Sequence, residues 1–303
     1  MRAHAAAVAV FAVLVGACGG SLAAQTPFID LEERVRLPVA RTGEVAPLRI
    51  AVAAILSPEG NIESYGALAD YIGMKLGRPV EIVQRRTYQE INDLLEAGSV
   101  DVGFVCTSAY VRGHDEFGLR LLAAPRIAGE TVYYSVLIVP ADSDAESMID
   151  LRGATFAFTD PISTTGRAYP TLLVEQLGET PDSFFGRTFF TYSHEKAIQA
   201  VAENVADAAG VDSLVLNFLL AHTPDIPIRV IDRSPAFKIP PAVVSPSLSS
   251  RQSAEIRDLL LSIADDPTAG PVLAALGIDR FVTVEDSDYD GVRELIESAE
   301  SIP

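Results

Sequence analysis

The sequence has few cysteines and no excess of basic residues. It holds two cysteines, and 23 lysines and arginines stand against 41 aspartates and glutamates, giving a net charge of −18. Binding to nucleic acid needs a basic stripe that neutralises phosphates, so this class of partner is excluded. An acidic surface also repels anions at long range. Any anion site must therefore use local amides and hydroxyls, with at most an arginine beside them.

The N-terminal residues have the pattern of a bacterial export signal. Arg2 and His4 precede Ala5–Val15, an uncharged apolar run that is short for a transmembrane helix. The next residues, LVGACGG, resemble a lipobox, because small residues precede Cys18. In that interpretation Cys18 becomes the lipidated first residue of the mature protein. Ordinary cleavage after Ala24 is the alternative.

A lipidated Cys18 leaves Cys106 as the only thiol of the mature chain outside the anchor. Residues 1–18 are then a signal peptide, and residues 19–46 are a tether rich in small and polar residues. No intramolecular disulfide is possible. A lone thiol in an oxidising compartment is usually buried and inert, but Cys106 follows a predicted strand, where ligands often bind.

The most distinctive stretch is DPISTTGRAYP, residues 160–170. It follows the β-rich run 154–159 and precedes an apolar helical pattern, so we predict a strand, a hydroxyl-rich turn and a helix. Ser163–Thr165 are residue types that accept hydrogen bonds from unpaired helix amides, and Gly166 lets the backbone approach a ligand. Together they indicate a site for a small anion at a positive helix end. A plain capped helix is the alternative.

Strands and helices alternate before this stretch. Leu48–Ala54, Val80–Val83 and Val100–Val105 have the composition of buried strands, and Tyr65–Leu76 and Tyr88–Glu96 have apolar residues at helical spacing. The β-α-β-α-β order predicts a parallel sheet that binds ligands at the carboxyl ends of its strands.

A second α/β unit follows the predicted strand Tyr133–Val139. Helix 194–203 and the strand to Val211 weakly repeat the pattern of helix 89–97 and the strand to Cys106. Two similar units joined by two crossovers predict a clamshell that buries a ligand between its lobes. Each lobe is expected to be a mixed sheet covered by helices. The predicted limits are 47–136 and 238–303 for lobe 1 and 137–237 for lobe 2.

Several segments resemble the PhnD-like solute-binding proteins of the phosphate, phosphite and phosphonate group. DPISTTG matches their signature D-P-x-S-[TN]-[ST]-G. The resemblance implies an α/β, two-lobed type II periplasmic-binding-protein fold with a hinge of two crossover strands, and a protein that is not an enzyme. It continues in FVCTSAYV (104–111), YYSVLIVPADS (133–143), PDSFF (181–185), YSHEKAIQAV (192–201), VDSL (211–214) and DSDYDGVRELI (286–296).

The resemblance also assigns a ligand site. Ser163–Thr165 match the family's anion-binding hydroxyls, His194 matches its pocket histidine, and Asp212 matches a pocket acid that suits a partly protonated oxyanion. A solvent-facing position at a helix start is the alternative for His194, and Arg167 is expected to face solvent. The predicted ligand-binding residues are Ser163, Thr164, Thr165, Gly166, His194, Asp212, Cys106 and Thr107.

Two positions depart from the family pattern. Cys106 stands where the commoner phosphonate-binding pattern has glycine, and Pro240 stands where binders of aminoalkyl ligands have an aspartate. The missing carboxylate argues against an aminoalkylphosphonate. The cysteine also resembles AioX-type arsenite receptors, a branch of the same family, which implies that a thiolate bonds arsenic while Thr107, Ser163 and Asp212 hold its hydroxyls. A small buried filler is the alternative.

The predicted function is capture of a small oxyanion by a monomer outside the cytoplasmic membrane. We expect the protein in the periplasm or, lipid-anchored, on the outer face of the cytoplasmic membrane. Its predicted partner is an ABC permease that receives the ligand. The alternative is an arsenite receptor read by a membrane sensor kinase. No cofactor is expected, and no metal site, because the histidines lack ligand spacing. A Cys106–His194 nucleophile pair is no more than a chance combination. The histidines are His4, His114, His194 and His222.

Overall fold

The computed structural model describes residues 45–53 and 58–300, with side chains over 45–53 and 65–299. The predicted signal peptide, the lipobox with Cys18 and nearly all of the predicted tether lie outside these residues. The described chain forms two large sheets, each flanked by helices, and one two-stranded ladder.

The strands are β1 Leu48–Val52, β2 Val80–Gln84, β3 Val102–Phe104, β4 Arg120–Arg126, β5 Val132–Tyr133, β6 Ser135–Pro140, β7 Thr155–Phe158, β8 Arg187–Phe190, β9 Ala208–Asp212, β10 Ile228–Arg233, β11 Phe237–Lys238, β12 Ala242–Val244 and β13 Arg280–Val282. The helices are α1 Pro58–Leu76, α2 Tyr88–Glu96, α3 Thr107–Phe117, α4 Tyr169–Glu175, α5 Pro181–Phe184, α6 His194–Ala202, α7 Ser213–His222, α8 Ser250–Ser262, α9 Gly270–Leu276 and α10 Asp290–Glu300. A π-helical turn, Thr164–Ala168, precedes α4, and 3-10 turns cover Met148–Leu151, Ile263–Asp265 and Asp286–Tyr289.

The first sheet has six strands in the order β13-β4-β12-β3-β1-β2. Strands β1, β2 and β3 are parallel, as the alternating pattern predicts, whereas β12 runs antiparallel to β3 and β4. The second sheet has five strands in the order β10-β6-β9-β7-β8, with β7 parallel to β8 and β9 and with β6 antiparallel to β9. We call each sheet with its helices a lobe. The prediction of two mixed sheets is confirmed.

The two lobes are joined by two chain crossings. The first crossing lies between β4 and β6, and the second between β10 and β12. Strands β5 and β11 pair antiparallel within these crossings, Tyr133 opposite Phe237, and thus tie them together. The predicted crossover strands are therefore present as a two-stranded hinge. The residue limits predicted for the lobes stay a prediction.

The single strand predicted over 133–139 is divided at Tyr134. Tyr133 belongs to the hinge ladder, whereas Ser135 pairs with Asp212 in the second sheet. Tyr134 itself bonds to Ser213, through its amide to the side chain and through its carbonyl to the Ser213 amide. The continuous apolar pattern hides this change of sheet because both partners lie far away in the sequence.

Apolar packing links the lobes as well as filling them. One face of the first sheet packs on α1, α8 and α9, and the opposite face packs on α2, α3 and α10. The core cluster on this opposite face also includes Tyr169 of α4, which belongs to the other lobe. The Tyr169 ring contacts Phe237, with 6.4 Å between the ring centroids. The C-terminal helix α10 packs on both α3 and α4. It therefore bridges the two lobes.

No single described helix is long and apolar enough to cross a membrane. The pair Ser250–Asp265 and Gly270–Leu276, bent by 101°, reaches that length and composition only when its two parts are taken together.

Candidate ligand site between the lobes

A buried cluster of hydroxyls lies where the π-helical turn of the second lobe meets α3 of the first. The Thr164 Oγ1 atom lies 2.6 Å from Thr107 Oγ1 and 2.5 Å from Ser108 Oγ, and it accepts a hydrogen bond from the Ser108 amide at 3.0 Å. Cys106 Sγ lies 3.6 Å from the same oxygen. We call Cys106, Thr107, Ser108 and Thr164 the hydroxyl cluster. It brings together three of the predicted site residues.

The cluster forms because α3 begins without a cap of its own. Cys106 is the N-cap residue of α3, and its side chain makes no capping hydrogen bond. The first amides of a helix lack intrahelical partners, so Thr164 of the other lobe caps this end. Helix α3 was absent from our sequence prediction, which ended a strand at Cys106 and assigned no element after it. Ser108 was consequently missed as a site residue.

Ser163 and Gly166 shape the turn that carries Thr164. Ser163 Oγ accepts from the Gly166 amide at 3.0 Å, and the Ser163 carbonyl accepts from the amides of Arg167 and Ala168. The Gly166 amide, which lies in the predicted anion-binding turn, is therefore already bonded to Ser163. Glycine is required here by packing: a Cβ atom would lie 1.8 Å from Thr159 Oγ1.

Thr165 has a buried hydroxyl without a partner in the described part of the chain. The residue is 1% exposed, and no hydrogen bond reaches its Oγ1. Its carbonyl accepts from Ser135 Oγ at 2.7 Å, which holds the residue against β6. Buried polar side chains in folded proteins are nearly always hydrogen-bonded, so an exception needs an explanation. A bound ligand oxygen supplies one.

His194 and Asp212 are joined by a hydrogen bond at the C-terminal end of β9. His194 is buried at the start of α6, and its Nδ1 accepts from the Asp212 amide at 3.1 Å. The solvent-facing alternative for His194 is thereby excluded. Burial lowers its pKa from 6.5 to about 3, so the ring is neutral near pH 7. Since Nδ1 accepts, the ring proton is on Nε2, which is a hydrogen-bond donor.

The Asp212 carboxyl is the N-cap of α7 and is also buried. Its Oδ1 accepts from the Leu214 amide at 2.7 Å. Burial nevertheless raises its pKa from 3.8 to about 7, because desolvation of the carboxylate outweighs these amide bonds. Burial also raises the pKa of the Cys106 thiol, and the charge of Asp212 adds to that effect. Both groups therefore retain their protons more readily than in water.

Asp160 is a second contact across the lobes that sequence reasoning did not single out. Its Oδ2 accepts from the amide of Tyr88, the first residue of α2, at 3.1 Å, and its Oδ1 accepts from Ile162. Burial raises its pKa. The sequence signal for a role of Asp160 was its position in the Asp-Pro pair that begins the DPISTTG signature. Two helices of the first lobe, α2 and α3, are thus capped by side chains of the second.

Two arginines are candidates for the predicted site, and one of them, Arg167, lines a cavity together with Ser108 and Ser163. Arg167 is half-buried with its guanidinium 4.3 Å from the centroid of the Phe158 ring, so the expectation that it faces solvent is wrong. Burial lowers its pKa. Arg126 lies 3.7 Å from Asp279. Within residues 45–53 and 58–300, no group of three or more histidine, cysteine or acidic side chains is placed to hold a metal ion.

The fold and this site define a class of protein: a two-lobed α/β clamshell with polar groups of both lobes converging on the interface, the type II periplasmic-binding-protein fold. The chain belongs to the family described as the periplasmic substrate-binding protein of phosphonate ABC transporters, whose model matches residues 50–289. Members of this family bind substrate outside the cytoplasm for transport and are not enzymes. The family and fold expected from the sequence resemblance are thereby confirmed.

Individual relatives agree with this assignment. The phosphate-import protein PhnD of Mycolicibacterium smegmatis is 30% identical over 223 residues, which cover 69% of this chain and 65% of that protein. The match therefore spans just under two thirds of the relative. A binding-protein component of an ABC phosphonate transporter from Pseudomonas aeruginosa has a similar structure, with a TM-score of 0.79 and 24% identity over 84% of this chain and 87% of that one. PhnD1 from Prochlorococcus marinus, solved with methylphosphonate, gives a TM-score of 0.76 and 16% identity over 84% and 98% of the two chains.

Proposed function

We propose that this protein captures a small oxyanion of the phosphonate, phosphite or phosphate class and delivers it to an ABC permease. The observation that carries the proposal is the buried, unpaired Thr165 hydroxyl in the turn that also supplies Thr164 to the hydroxyl cluster. The phosphate-import relative supports the class of ligand. The mechanism is capture: hydrogen-bond donors replace the water around the ligand as the lobes shut.

The electrostatics of the site favour an anion that keeps a proton. The His194 ring, one of the predicted donors, is uncharged near pH 7. Asp212, with its pKa raised to about 7, exchanges its proton in the same range. A neutral carboxyl donates to a ligand oxygen, and a carboxylate accepts from a ligand hydroxyl. Both arrangements suit a partly protonated phosphonate or phosphate.

The test compares two isosteric threonine substitutions. Thr165→Val removes the unpaired hydroxyl from the site, and Thr171→Val removes another buried hydroxyl without a described partner, from α4. We expect Thr165→Val to weaken binding of phosphate or methylphosphonate at least tenfold, which is about 1.4 kcal/mol, and Thr171→Val to leave it unchanged. Isothermal titration calorimetry measures both. Failure of the wild type to bind any of phosphate, phosphite and methylphosphonate would contradict the proposal.

A second candidate function, arsenite reception, is favoured by the position of Cys106. Its Sγ lies 3.6 Å from Thr164 Oγ1 and in the same cluster as Thr107. Arsenous acid, As(OH)3, condenses with a thiol: a sulfur–arsenic bond forms, and the thiol proton leaves with one hydroxide as water. Burial raises the pKa of Cys106, so the thiol starts protonated and gives up its proton as the sulfur–arsenic bond forms. The partner would then be a membrane sensor kinase.

Cys106→Ser separates the two functions, since serine keeps the size and polarity of the side chain. Loss of arsenite binding with phosphate binding retained assigns reception to the thiol. Phosphate or phosphite binding by the wild type, untouched by the substitution and without arsenite binding, supports the importer role alone.

We also propose that Cys18 is lipidated, that residues 19–46 tether a monomeric binding domain to the membrane, and that the lobes have the predicted limits. The lipobox pattern supports the anchor. Mass spectrometry of the mature N-terminus tests it, because Cys18→Ala would remove a diacylglyceryl adduct and release the protein. Light scattering of the purified chain tests the monomer.

A further inference from the structure

An arginine of the first lobe lies on an aromatic ring of the second. Arg86 stands between β2 and α2, and Tyr192 stands between β8 and α6. The guanidinium carbon of Arg86 is 4.1 Å from the centroid of the Tyr192 ring, which is the distance of a cation–π contact. This contact therefore crosses the interface between the lobes.

Both residues border the candidate ligand site. Tyr192 precedes the buried His194 by two residues, and its amide donates to the Thr159 carbonyl at 2.7 Å. Arg86 precedes Tyr88 by two residues, and the Tyr88 amide is itself bonded across the lobes. A movement that separates the lobes at the site must therefore also separate Arg86 from Tyr192.

The backbone of Tyr192 shows that its side chain has a role. Its φ angle is 56°, in the left-handed region that glycine and asparagine adopt most readily and that is unfavourable for a bulky residue. The backbone alone would therefore favour a smaller residue. The Tyr192 ring contacts Phe190 of its own lobe, at 6.0 Å between centroids, and Arg86 of the other lobe. The Arg86 contact is the one that depends on how the lobes are placed.

This contact differs in kind from the two caps that cross the interface. The caps from Asp160 and Thr164 are buried hydrogen bonds, so breaking them leaves buried polar groups without partners. Arg86 is exposed and Tyr192 is half-buried. Their contact can open into water without that penalty, which suits a reversible closure at the edge of the interface.

We propose that Arg86 and Tyr192 form a latch that favours the closed arrangement of the lobes and slows the release of a bound ligand. An exposed cation–π pair favours the closed form about two- to fivefold. The effect on lobe opening is a property of the fold, whereas the effect on release rests on the proposed function.

The primary test measures lobe opening without a ligand. The Ser108 amide donates to Thr164 of the other lobe, so its hydrogen exchange reports separation of the lobes. Arg86→Gln and Tyr192→Asn should each speed this exchange about two- to fivefold, and asparagine accepts the left-handed backbone. Tyr192→Phe keeps the ring and should behave as the wild type. The double variant should exchange no faster than either single variant, because both remove one shared contact.

Two controls isolate the latch from general effects. Arg85→Gln removes the same charge from the same loop, but the Arg85 guanidinium donates to the Gln84 carbonyl of its own lobe at 2.7 Å. This variant should leave exchange at Ser108 unchanged. The Thr155 amide, bonded to Asp207 within the second lobe, should exchange at the wild-type rate in every variant.

The second test measures release. Radiolabelled phosphate bound to the protein is chased with unlabelled phosphate, and the retained label is followed by rapid filtration. Arg86→Gln should release phosphate about two- to fivefold faster than the wild type, and Arg85→Gln should release it at the wild-type rate.

The outcomes distinguish the latch from the function beneath it. Unchanged exchange at Ser108 in Arg86→Gln, an equal increase in Arg85→Gln, or additive increases in the double variant would each overturn the latch. Faster exchange with unchanged phosphate release would overturn its role in release. If phosphate does not bind, that role fails together with the proposed function, while exchange at Ser108 still decides whether the latch exists.

Discussion

Two buried titratable residues in contact, Asp212 and His194, make the stability of this protein depend on pH in opposite directions. The folded pKa of Asp212 lies above its unfolded value, so its contribution is complete below pH 3.8 and is lost as the pH rises to about 7. The folded pKa of His194 lies below its unfolded value, so stability is lost as the pH falls from 6.5 to about 3. The two slopes oppose each other between about pH 4 and 6.5.

Asp212→Asn should therefore leave His194 as the residue of this pair that makes stability depend on pH. The amide keeps an acceptor for the Leu214 amide but carries no charge to bury. We expect the variant to gain stability relative to the wild type at pH 8, by a few kcal/mol at about 1.4 kcal/mol per pKa unit, and to gain little at pH 4.5. Urea denaturation at the two pH values measures this. An equal difference at both would show that the carboxyl is not held protonated by burial.

At the scale of the element, the π-helical turn Thr164–Ala168 depends on the close packing of Gly166 against Thr159. Thr159 directly follows β7, and its hydroxyl has no partner among the described residues. The turn also directs the Thr164 hydroxyl to α3 and the Thr165 carbonyl to Ser135. A change in the turn is thus transmitted to the site.

Gly166→Ala should destabilise the protein by about 1–3 kcal/mol and weaken oxyanion binding, because its Cβ would lie 1.8 Å from Thr159 Oγ1. The control is Gly291→Ala in α10, where a Cβ meets nothing within 4 Å. That change should be neutral or slightly stabilising, because Gly291 lies in the first turn of α10, where alanine is the better helix former. Similar effects of the two substitutions on the urea midpoint would refute the packing argument.

At the scale of the whole molecule, the lobes are held together by side chains of the second lobe that cap helices of the first. Asp160 caps α2, and Thr164 caps α3. In the proposed capture cycle the lobes separate and rejoin, so these caps would be broken and remade each time. Helix α10 and the β5–β11 pair also connect the lobes.

Asp160→Ala should therefore shift the lobes towards an open arrangement. It leaves the Tyr88 amide without its partner, at a cost of about 1–3 kcal/mol. We expect a larger radius of gyration by small-angle X-ray scattering. The control is Asp207→Ala, which removes a carboxylate–amide bond to Thr155 inside the second lobe. Asp207→Ala should lose stability without a change in the radius of gyration. An equal increase in both variants would contradict the role of Asp160 in holding the lobes together.

Local sequence patterns sufficed for much of this protein. The alternation of apolar segments predicted parallel β1–β3, and the stretch 160–170 predicted a hydroxyl-rich turn between a strand and a helix. Helix α3 was not predicted because its first residues, Thr107 and Ser108, resemble the end of a strand. The hydroxyl that caps this helix, from Thr164, belongs to the other lobe. The role of Asp160 escaped for the same reason, since the amide that it accepts from belongs to Tyr88, 72 residues away.

The sequence by itself determined the family, the two-sheet plan and which hydroxyls stand at the turn, because these follow from residue order and short-range spacing. Tertiary structure alone decided that His194 is buried and neutral, that Gly166 serves packing, that Thr164 caps a helix of the opposite lobe, and that Arg86 lies on the Tyr192 ring. Those properties depend on desolvation and on contacts between distant segments, and neither is encoded in any local pattern.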